Sequence, residues 1–259
     1  MSTRVLLLDA GNTRLKWAVV EWGSAEGGAS ELNAPATAPW LAQGAAHYDA
    51  LESLSAHWQQ WGALSACHGV SVAGDSANAA VQKLLASITL APQWHLASAA
   101  ACGVENRYQP SASLGADRWA ALIGARQRTH EACLVVSAGT ALTIDVLNAD
   151  GQFVGGVIIP GLYKMRQALA HSTALVGEQY GTLREFPDNT ADAVETGLVM
   201  ALTGAIEKMN LRLAQGGAPA HCLLTGGDAA VLQTALSFPA EVAPGLVLEG
   251  VYHLAKGFK

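Results

Sequence analysis

The stretch that decides the fold reads Leu6-Leu7-Leu8-Asp9-Ala10-Gly11-Asn12-Thr13-Arg14-Leu15-Lys16-Trp17. Apolar runs at 5–8 and 15–20 indicate two buried strands joined by a tight turn. Gly11 has no Cβ to keep a ligand from the backbone N–H groups of that turn. Asp9 suits a hydrated divalent cation and Lys16 suits a phosphate. Because Asp, Gly and Asn are also common in ordinary hairpin turns, this stretch alone leaves both interpretations open.

Composition describes a globular chain with little affinity for polyanions. The 259 residues are 51% hydrophobic and 14% charged, which excludes a disordered protein and allows one large or two smaller domains. The net charge is −6, the pI is near 5.7, and Lys and Arg form no cluster. We therefore expect neither nucleic-acid nor membrane partners.

Targeting and metal patterns point to a cytoplasmic protein without a zinc centre. No apolar run reaches the roughly 18 to 20 residues of a membrane span. A signal peptide is not expected, since only four apolar residues separate Arg4 from Asp9. The eight histidines show no HExxH spacing and the cysteines form no CxxC pair, so the cysteines are expected to be reduced core residues. They are Cys67, Cys102, Cys133 and Cys222.

Hydrophobic periodicity predicts alternating strands and helices after the opening hairpin at 3–23. A loop with one edge strand is expected at 24–46. Further strands are predicted at 67–72, 92–96, 133–136, 141–147, 153–159 and 221–225. Helices are predicted at 48–61, 78–87, 116–128, 162–169, 190–213, 229–236 and 247–256, with Asn189 or Thr190 capping the longest.

A strand–turn–strand unit with a turn glycine occurs twice. Gly139 follows Gly11 by 128 residues, close to half the chain, and Thr140 provides a hydroxyl much as Thr13 does. This repeat indicates a duplicated α/β domain with two turns facing each other across a cleft. One hairpin would hold inner phosphates through Asn12, Thr13 and Lys16, and the other would hold the outer side through Gly139 and Thr140.

Two further features fit a phosphotransfer site, and each has an ordinary structural alternative. Gly226-Gly227 can let a nucleoside lie against the backbone, or can form a plain strand-to-helix turn. Asp117 lies in the first turn of a predicted helix, where the helix dipole favours any acid. It is also placed to accept a proton from a hydroxyl that attacks a γ-phosphate. Arg118 could pair with a substrate anion or with a surface acid.

Five motifs in order resemble the type III pantothenate kinase family, also called the Bvg accessory factor family. They are Asp9-Ala-Gly-Asn-Thr-Arg-Leu-Lys16, Leu114-Gly-Ala-Asp-Arg118, Ser137-Ala-Gly-Thr-Ala-Leu-Thr143, Gly155-Gly-Val-Ile-Ile-Pro-Gly161 and Asn189-Thr190. The resemblance implies duplicated ribonuclease-H-like domains of the acetate and sugar kinase/Hsp70/actin superfamily, with the active site in the cleft between them. We place these domains at 1–112 and 113–259.

The same resemblance implies an activity, its cofactors and an oligomeric state. ATP and pantothenate would give ADP and 4′-phosphopantothenate, the first step of coenzyme A synthesis. Members of the family are homodimers that need a divalent cation, such as Mg²⁺, together with K⁺ or NH₄⁺.

Site residues follow from the resemblance position by position. The ATP phosphate loop would be Asp9, Ala10, Gly11, Asn12, Thr13, Arg14, Leu15 and Lys16, with Asp9 at the metal and Thr140 as a second ATP contact. The pantothenate motif would be Gly115, Ala116, Asp117 and Arg118, with Asp117 as proton acceptor and Tyr108 and Thr190 as further contacts. Thr190 could instead be only a helix cap, and Tyr108 only a loop aromatic.

One position departs from the family pattern. The second phosphate motif usually begins with an aspartate that coordinates the monovalent cation, whereas this chain has Ser137. A hydroxyl is a weaker, uncharged cation ligand. We therefore predict a weaker monovalent-cation requirement than in relatives with the aspartate.

Two other functions remain open from the sequence. An ATP or polyphosphate hydrolase of the same fold would need only an acid that positions water. A non-catalytic transcriptional accessory protein would need no catalytic residues, but Asp9, Lys16 and Asp117 are all retained. The acidic pI also argues against direct contact with DNA.

Overall fold

The computed structural model describes residues 3–22, 40–172, 180–214 and 221–257. These residues form two compact units: the first comprises Met1–His130 with Leu246–Lys259, and the second comprises Glu131–Gly245. The sequence placed a domain boundary between 112 and 113. The units divide elsewhere because the helices Ala116–Arg128 and Leu246–Lys256 pack on each other and both belong to the first unit.

The first unit contains a five-stranded mixed sheet in the order β3-β2-β1-β4-β5. Strands β1 to β3 are antiparallel neighbours, whereas β4 and β5 run parallel to β1. The strands are β1 Thr3–Ala10, β2 Arg14–Trp22, β3 Trp40–His47, β4 Leu64–Ser71 and β5 Pro92–Trp94. A short hairpin, β6 Ala100–Ala101 and β7 Val104–Asn106, follows. The helices are α1 Glu52–Gln59, α2 Asp75–Ser87, α3 Ala116–Arg128 and, from the end of the chain, α7 Leu246–Lys256.

The second unit repeats that arrangement in its sheet, which runs β10-β9-β8-β11-β12. Neighbouring strands among β10, β9 and β8 are antiparallel, and β11 and β12 run parallel to β8, as β4 and β5 run parallel to β1. The strands are β8 Cys133–Ala138, β9 Ala141–Leu147, β10 Gln152–Pro160, β11 His221–Thr225 and β12 Glu241–Val242, and the helices are α4 Leu162–Ser172, α5 Thr190–Ala214 and α6 Ala229–Ala235. The shared strand order confirms the predicted duplication.

The core of each unit lies between its sheet and helices of the same unit. Leu6, Leu8 and Ala10 of β1 point to one face, where they pack with Trp58 of α1 and Leu85 of α2. In the second unit, the matching side chains of β8 and β9 pack against α5 and α6. The opposite face of β1 is buried as well, since Val5 and Leu7 are at most 1% exposed and α7 packs on this strand.

Most differences from the sequence prediction concern short elements. The helix predicted at 48–61 is a 3₁₀ turn, Tyr48–Ala50, followed by α1. The edge strand predicted within 24–46 is β3, and the rest of that stretch up to residue 39 lies outside the described residues. The hairpin of β6 and β7 was not predicted, and neither was β12. A strand of two or three residues is too short to show a hydrophobic periodicity.

Two further expectations can be compared with the structure. The four cysteines are buried and form no disulfide, as expected for reduced core residues. Over the described ranges, no helix combines the length and apolarity needed to cross a membrane.

Helices α3 and α7 touch backbone to backbone. A Cβ on Gly250 would lie 1.8 Å from the carbonyl oxygen of Ala120, and a Cβ on Gly124 would lie 2.4 Å from that of Leu246. At the far end of α3, the guanidinium of Arg128 donates two hydrogen bonds of 2.7 and 2.6 Å to the Glu249 carboxylate. These contacts hold α3 in place, and α3 begins with the residues that the sequence assigned to the substrate.

Candidate active site

The end of β1 presents a buried carboxylate. Asp9 is only 3% exposed and lies directly opposite Lys16 of β2 in the hairpin register. Nζ of Lys16 lies 3.1 Å from Oδ2 of Asp9. The lysine side chain is 42% exposed, so the pair adds little to stability and the ammonium can reach other anions.

The turn between the strands has the form that the sequence predicted. The N–H of Gly11 donates to the carbonyl of Arg14 at 3.2 Å, and the carbonyl of Ala10 accepts from the N–H of Val72 at 3.0 Å. Asn12, Thr13 and Arg14 are exposed. Ala10 and Leu15 have buried side chains, so only their backbone groups could contact a ligand.

Tyr48 contacts this turn, and sequence reasoning missed it. Its hydroxyl donates to the carbonyl of Gly11 at 2.5 Å. Burial raises the pKa of Tyr48 to about 12, and the charge of Asp9 contributes in the same direction. The contact joins residues 37 positions apart, so no local pattern could have revealed it.

The start of α3 supplies the second carboxylate. The helix begins as the N–H of Trp119 donates to the carbonyl of Gly115, and Oδ1 of Asp117 accepts from the N–H of Arg118 at 2.8 Å. Burial raises the pKa of Asp117, and the nearby charge of Asp9 raises it further, against the lowering effects of Arg118. A Cβ on Gly115 would lie 2.8 Å from Oδ1 of Asp117, so this glycine leaves room for the carboxylate.

Arg118 is held beside Tyr108. Its Nη1 and Nη2 atoms each lie 3.4 Å from the Tyr108 hydroxyl, and Cζ lies 5.6 Å from the ring centroid. Asn106 fixes the loop: its Oδ1 accepts from the N–H of Tyr108 at 3.0 Å, and its Nδ2 donates to the carbonyl of Ser111. Sequence reasoning also missed Asn106, because its role depends on burial.

The first unit therefore brings together most of the predicted residues. Asp9 and Asp117 are close enough for the charge of one to raise the pKa of the other. The 115–118 motif lies at the start of α3, where the sequence predicted a helix to begin. Thr140 and Thr190 belong to the second unit and are described within it.

Thr140 is exposed in the turn between β8 and β9. The N–H of Gly139 donates to the carbonyl of Ala141, and the N–H of Gly161 donates to the carbonyl of Thr140, both at 3.0 Å. A Cβ on Gly161 would lie 1.9 Å from the carbonyl oxygen of Gly139. Gly161 thus packs directly against the backbone of this turn, and a residue with a Cβ would not fit there.

Thr190 is the first residue of α5 and is exposed. The side chain that caps the helix is that of Asn189, whose Oδ1 accepts from the N–H of Asp192 at 3.0 Å. The capping alternative for Thr190 is therefore not needed, and its predicted contact with pantothenate stays a prediction.

Gly226 is required by the turn after β11. Its φ is +102°, and a Cβ there would lie 2.1 Å from the carbonyl oxygen of Ala138. The N–H of Asp228 donates to the same carbonyl at 3.2 Å. The turn thus packs on the end of β8, beside the second hairpin.

Ser137 lies directly opposite two threonines in the sheet. Its cross-strand neighbours are Thr143 on β9 and Thr225 on β11. Within the described part of the chain, the buried Oγ1 of Thr143 has no hydrogen-bond partner. Nor do those residues include a cluster of three or more His, Cys, Asp or Glu side chains able to hold a metal. Asp145, two residues beyond Thr143 on the same face of β9, is 1% exposed and is the nearest acidic residue along that strand. A divalent ion bound with phosphates fits the carboxylate of Asp9.

Comparison with known proteins assigns the chain to a family. A family model described as type III pantothenate kinase matches residues 5–212. The chain belongs to the type III pantothenate kinase family. That range includes the Asp9–Lys16 turn, the 115–118 motif, Thr140 and Thr190, so the motifs that suggested the family all lie inside the match.

Relatives within the type III pantothenate kinase family match nearly end to end. The type III pantothenate kinase of Aromatoleum aromaticum is 44% identical over 252 residues, covering 97% of this chain and 98% of the relative. That of Thiobacillus denitrificans is 41% identical over 258 residues, covering 99% and 98%. A crystal structure of a Baf family protein from Campylobacter jejuni superposes with a TM-score of 0.57 at 20% identity, covering 97% of both chains. That likeness shows a shared fold, whereas the family match and the curated relatives show that the chain is a kinase of this family.

Proposed function

We propose that this kinase transfers the γ-phosphate of ATP to the 4′-hydroxyl of pantothenate, the first step of coenzyme A biosynthesis. The observation that carries the proposal is that the first unit contains two carboxylates in different environments. Asp9 is buried and paired with Lys16, whereas Asp117 has a raised pKa and lies at a helix start beside Arg118. Carboxylates in such different environments suit different roles.

In the proposed reaction, Asp117 is the general base. Burial and the charge of Asp9 raise its pKa, so the carboxylate binds a proton more readily than an ordinary aspartate does. The hydroxyl of pantothenate would lose its proton to Asp117 as its oxygen attacks the γ-phosphorus and ADP leaves. Arg118 and Tyr108 would orient pantothenate, and Thr190 is proposed as a further contact.

Asp9 and Lys16 would serve the nucleotide. The carboxylate of Asp9 is buried and suited to a divalent ion, which would neutralise charge on the phosphates. Lys16 would shift from Asp9 to the phosphates, since its exposed stem leaves the ammonium free to move. The backbone of the Gly11–Arg14 turn and Thr140 would complete the phosphate contacts.

The proposal extends to the oligomeric state, the monovalent cation and the cellular location. A homodimer fits the large apolar side chains that the second unit exposes, among them Ile158, Phe186 and Met200. Light scattering should then give twice the chain mass of 26.8 kDa. The hydroxyl of Ser137, which lies opposite Thr143 and Thr225, supports a weak requirement for K⁺ or NH₄⁺. A cytoplasmic location fits the use of ATP.

Release of ADP in a coupled assay tests the proposed reaction. We expect turnover that depends on both pantothenate and Mg–ATP, with 4′-phosphopantothenate as the product. ATP hydrolysis that is independent of pantothenate would instead support a hydrolase. Nucleotide binding without any turnover would support the non-catalytic accessory protein, and either result would contradict the proposed function.

A further inference from the structure

Tyr48 belongs to no predicted motif, yet its hydroxyl is hydrogen-bonded to the turn between β1 and β2. It follows β3 directly and begins the 3₁₀ turn Tyr48–Ala50. Its ring packs against the core of the first unit, so the position of its hydroxyl is set by packed side chains. That hydroxyl donates to the carbonyl of Gly11, the one glycine of the turn.

The carbonyl of Gly11 controls a group that can bind phosphate. It shares a planar peptide unit with the N–H of Asn12, and in a trans peptide the two bonds point in opposite directions. Holding the carbonyl towards Tyr48 therefore turns the Asn12 N–H away from Tyr48. A glycine allows this peptide to rotate more freely than other residues do, so an outside contact is needed to fix it.

We propose that Tyr48 is a positioning residue for the nucleotide, which acts by holding the Gly11 carbonyl so that the Asn12 N–H is aimed at a phosphate oxygen. This inference rests on the proposed use of ATP but not on the identity of the acceptor. Asn12 is exposed, so a ligand can reach the backbone of the turn at this residue.

The protonation of Tyr48 supports this role. A tyrosine can donate to a carbonyl only while its hydroxyl keeps the proton. Burial and the charge of Asp9 raise its pKa to about 12, so the donor persists throughout the neutral and moderately alkaline range. Loss of nucleotide affinity between about pH 7 and pH 10 is therefore not expected from this residue.

Tyr48→Phe is the direct test, because it keeps the packed ring and removes only the hydroxyl. We expect about tenfold weaker binding of Mg–ATP in calorimetry and a similar rise in KM for ATP, because the peptide that carries the Asn12 N–H would then have to be ordered on binding. KM for pantothenate and the melting temperature should change little. Tyr252→Phe is the matched control, since Tyr252 is in the same unit and its ring contacts Trp40 and His253 away from the turn.

The outcomes separate this inference from the proposed function. Equal Mg–ATP affinity in Tyr48→Phe and wild type would overturn the positioning role even if pantothenate is phosphorylated. Weaker Mg–ATP binding in the variant would support it even if pantothenate is not the acceptor. A similar loss in Tyr252→Phe, or an equal rise in both KM values, would indicate a general structural effect and would also overturn it.

Discussion

Replacing Asp117 with asparagine should separate chemistry from binding. The amide oxygen of asparagine can still accept the hydrogen bond that the Arg118 N–H donates at 2.8 Å, so the helix start should be preserved. What is lost is the ability to accept a proton. Removing a general base typically lowers turnover by about 10²- to 10⁴-fold, which is roughly 2.7 to 5.4 kcal/mol in activation free energy. The affinity for Mg–ATP should stay nearly unchanged.

The same change should raise stability near neutral pH. The pKa of Asp117 is raised above 3.8 in the folded protein, mainly by burial. The folded state therefore binds this proton more tightly than the unfolded state does, and the resulting stabilisation is present below the unfolded pKa and lost as pH rises through the folded pKa. At neutral pH the charged carboxylate thus opposes folding, and asparagine removes that effect.

Three measurements on Asp117→Asn check this reasoning: the rate of ADP release, calorimetric binding of Mg–ATP, and melting temperature as a function of pH. Asp150→Asn, in the exposed turn between β9 and β10, controls for the loss of one negative charge. We expect slow turnover, normal ATP binding and a melting temperature above wild type near pH 7, with the difference shrinking towards pH 4. Wild-type turnover would refute the role as base, and a lower melting temperature at neutral pH would refute the account of its pKa.

Two further predictions concern helix packing and the monovalent cation. Gly250→Ala should lower the free energy of unfolding by about 1 to 3 kcal/mol in urea titrations. The reason is that its Cβ would lie 1.8 Å from the Ala120 carbonyl oxygen. Gly204→Ala, on α5 with nothing within 4 Å, should instead gain up to about 1 kcal/mol from helix propensity, and equal effects of the two changes would contradict the close packing. Activity titrated with KCl in a Tris buffer should show a shallow dependence in wild type and a steeper one in Ser137→Asp; a sharp, tight K⁺ requirement in wild type would show that hydroxyls suffice.

Local signals were sufficient to predict much of the fold. Helix α3 begins and ends at the predicted residues, 116 and 128, because Gly115 precedes a run rich in alanine and apolar residues. The two hairpins were predicted from apolar runs that flank short polar turns, and Gly11 and Gly139 occupy those turns. These features depend on neighbours in sequence, which a single chain displays directly.

Contacts between distant segments could not be predicted. Tyr48 reaches Gly11 from 37 residues away, and Arg128 reaches Glu249 across 121. The place of α7 in the first unit depends on glycine contacts with α3 that no local pattern reveals. For the same reason the predicted boundary at 112 and the observed division into units differ, since the last helix of the chain returns to the first unit.

The two hairpins have the same place in their sheets but different chemistry. They share strand order, yet in the first a buried Asp9 faces Lys16, whereas in the second Ser137 faces Thr143. A charged pair can exchange partners when phosphate and a divalent ion arrive, since each charge finds its opposite in the ligand. Neutral hydroxyls have no charge to exchange and can contribute only hydrogen bonds or weak coordination. The first hairpin is therefore expected to carry the ionic part of nucleotide binding, with Tyr48 holding its backbone in place.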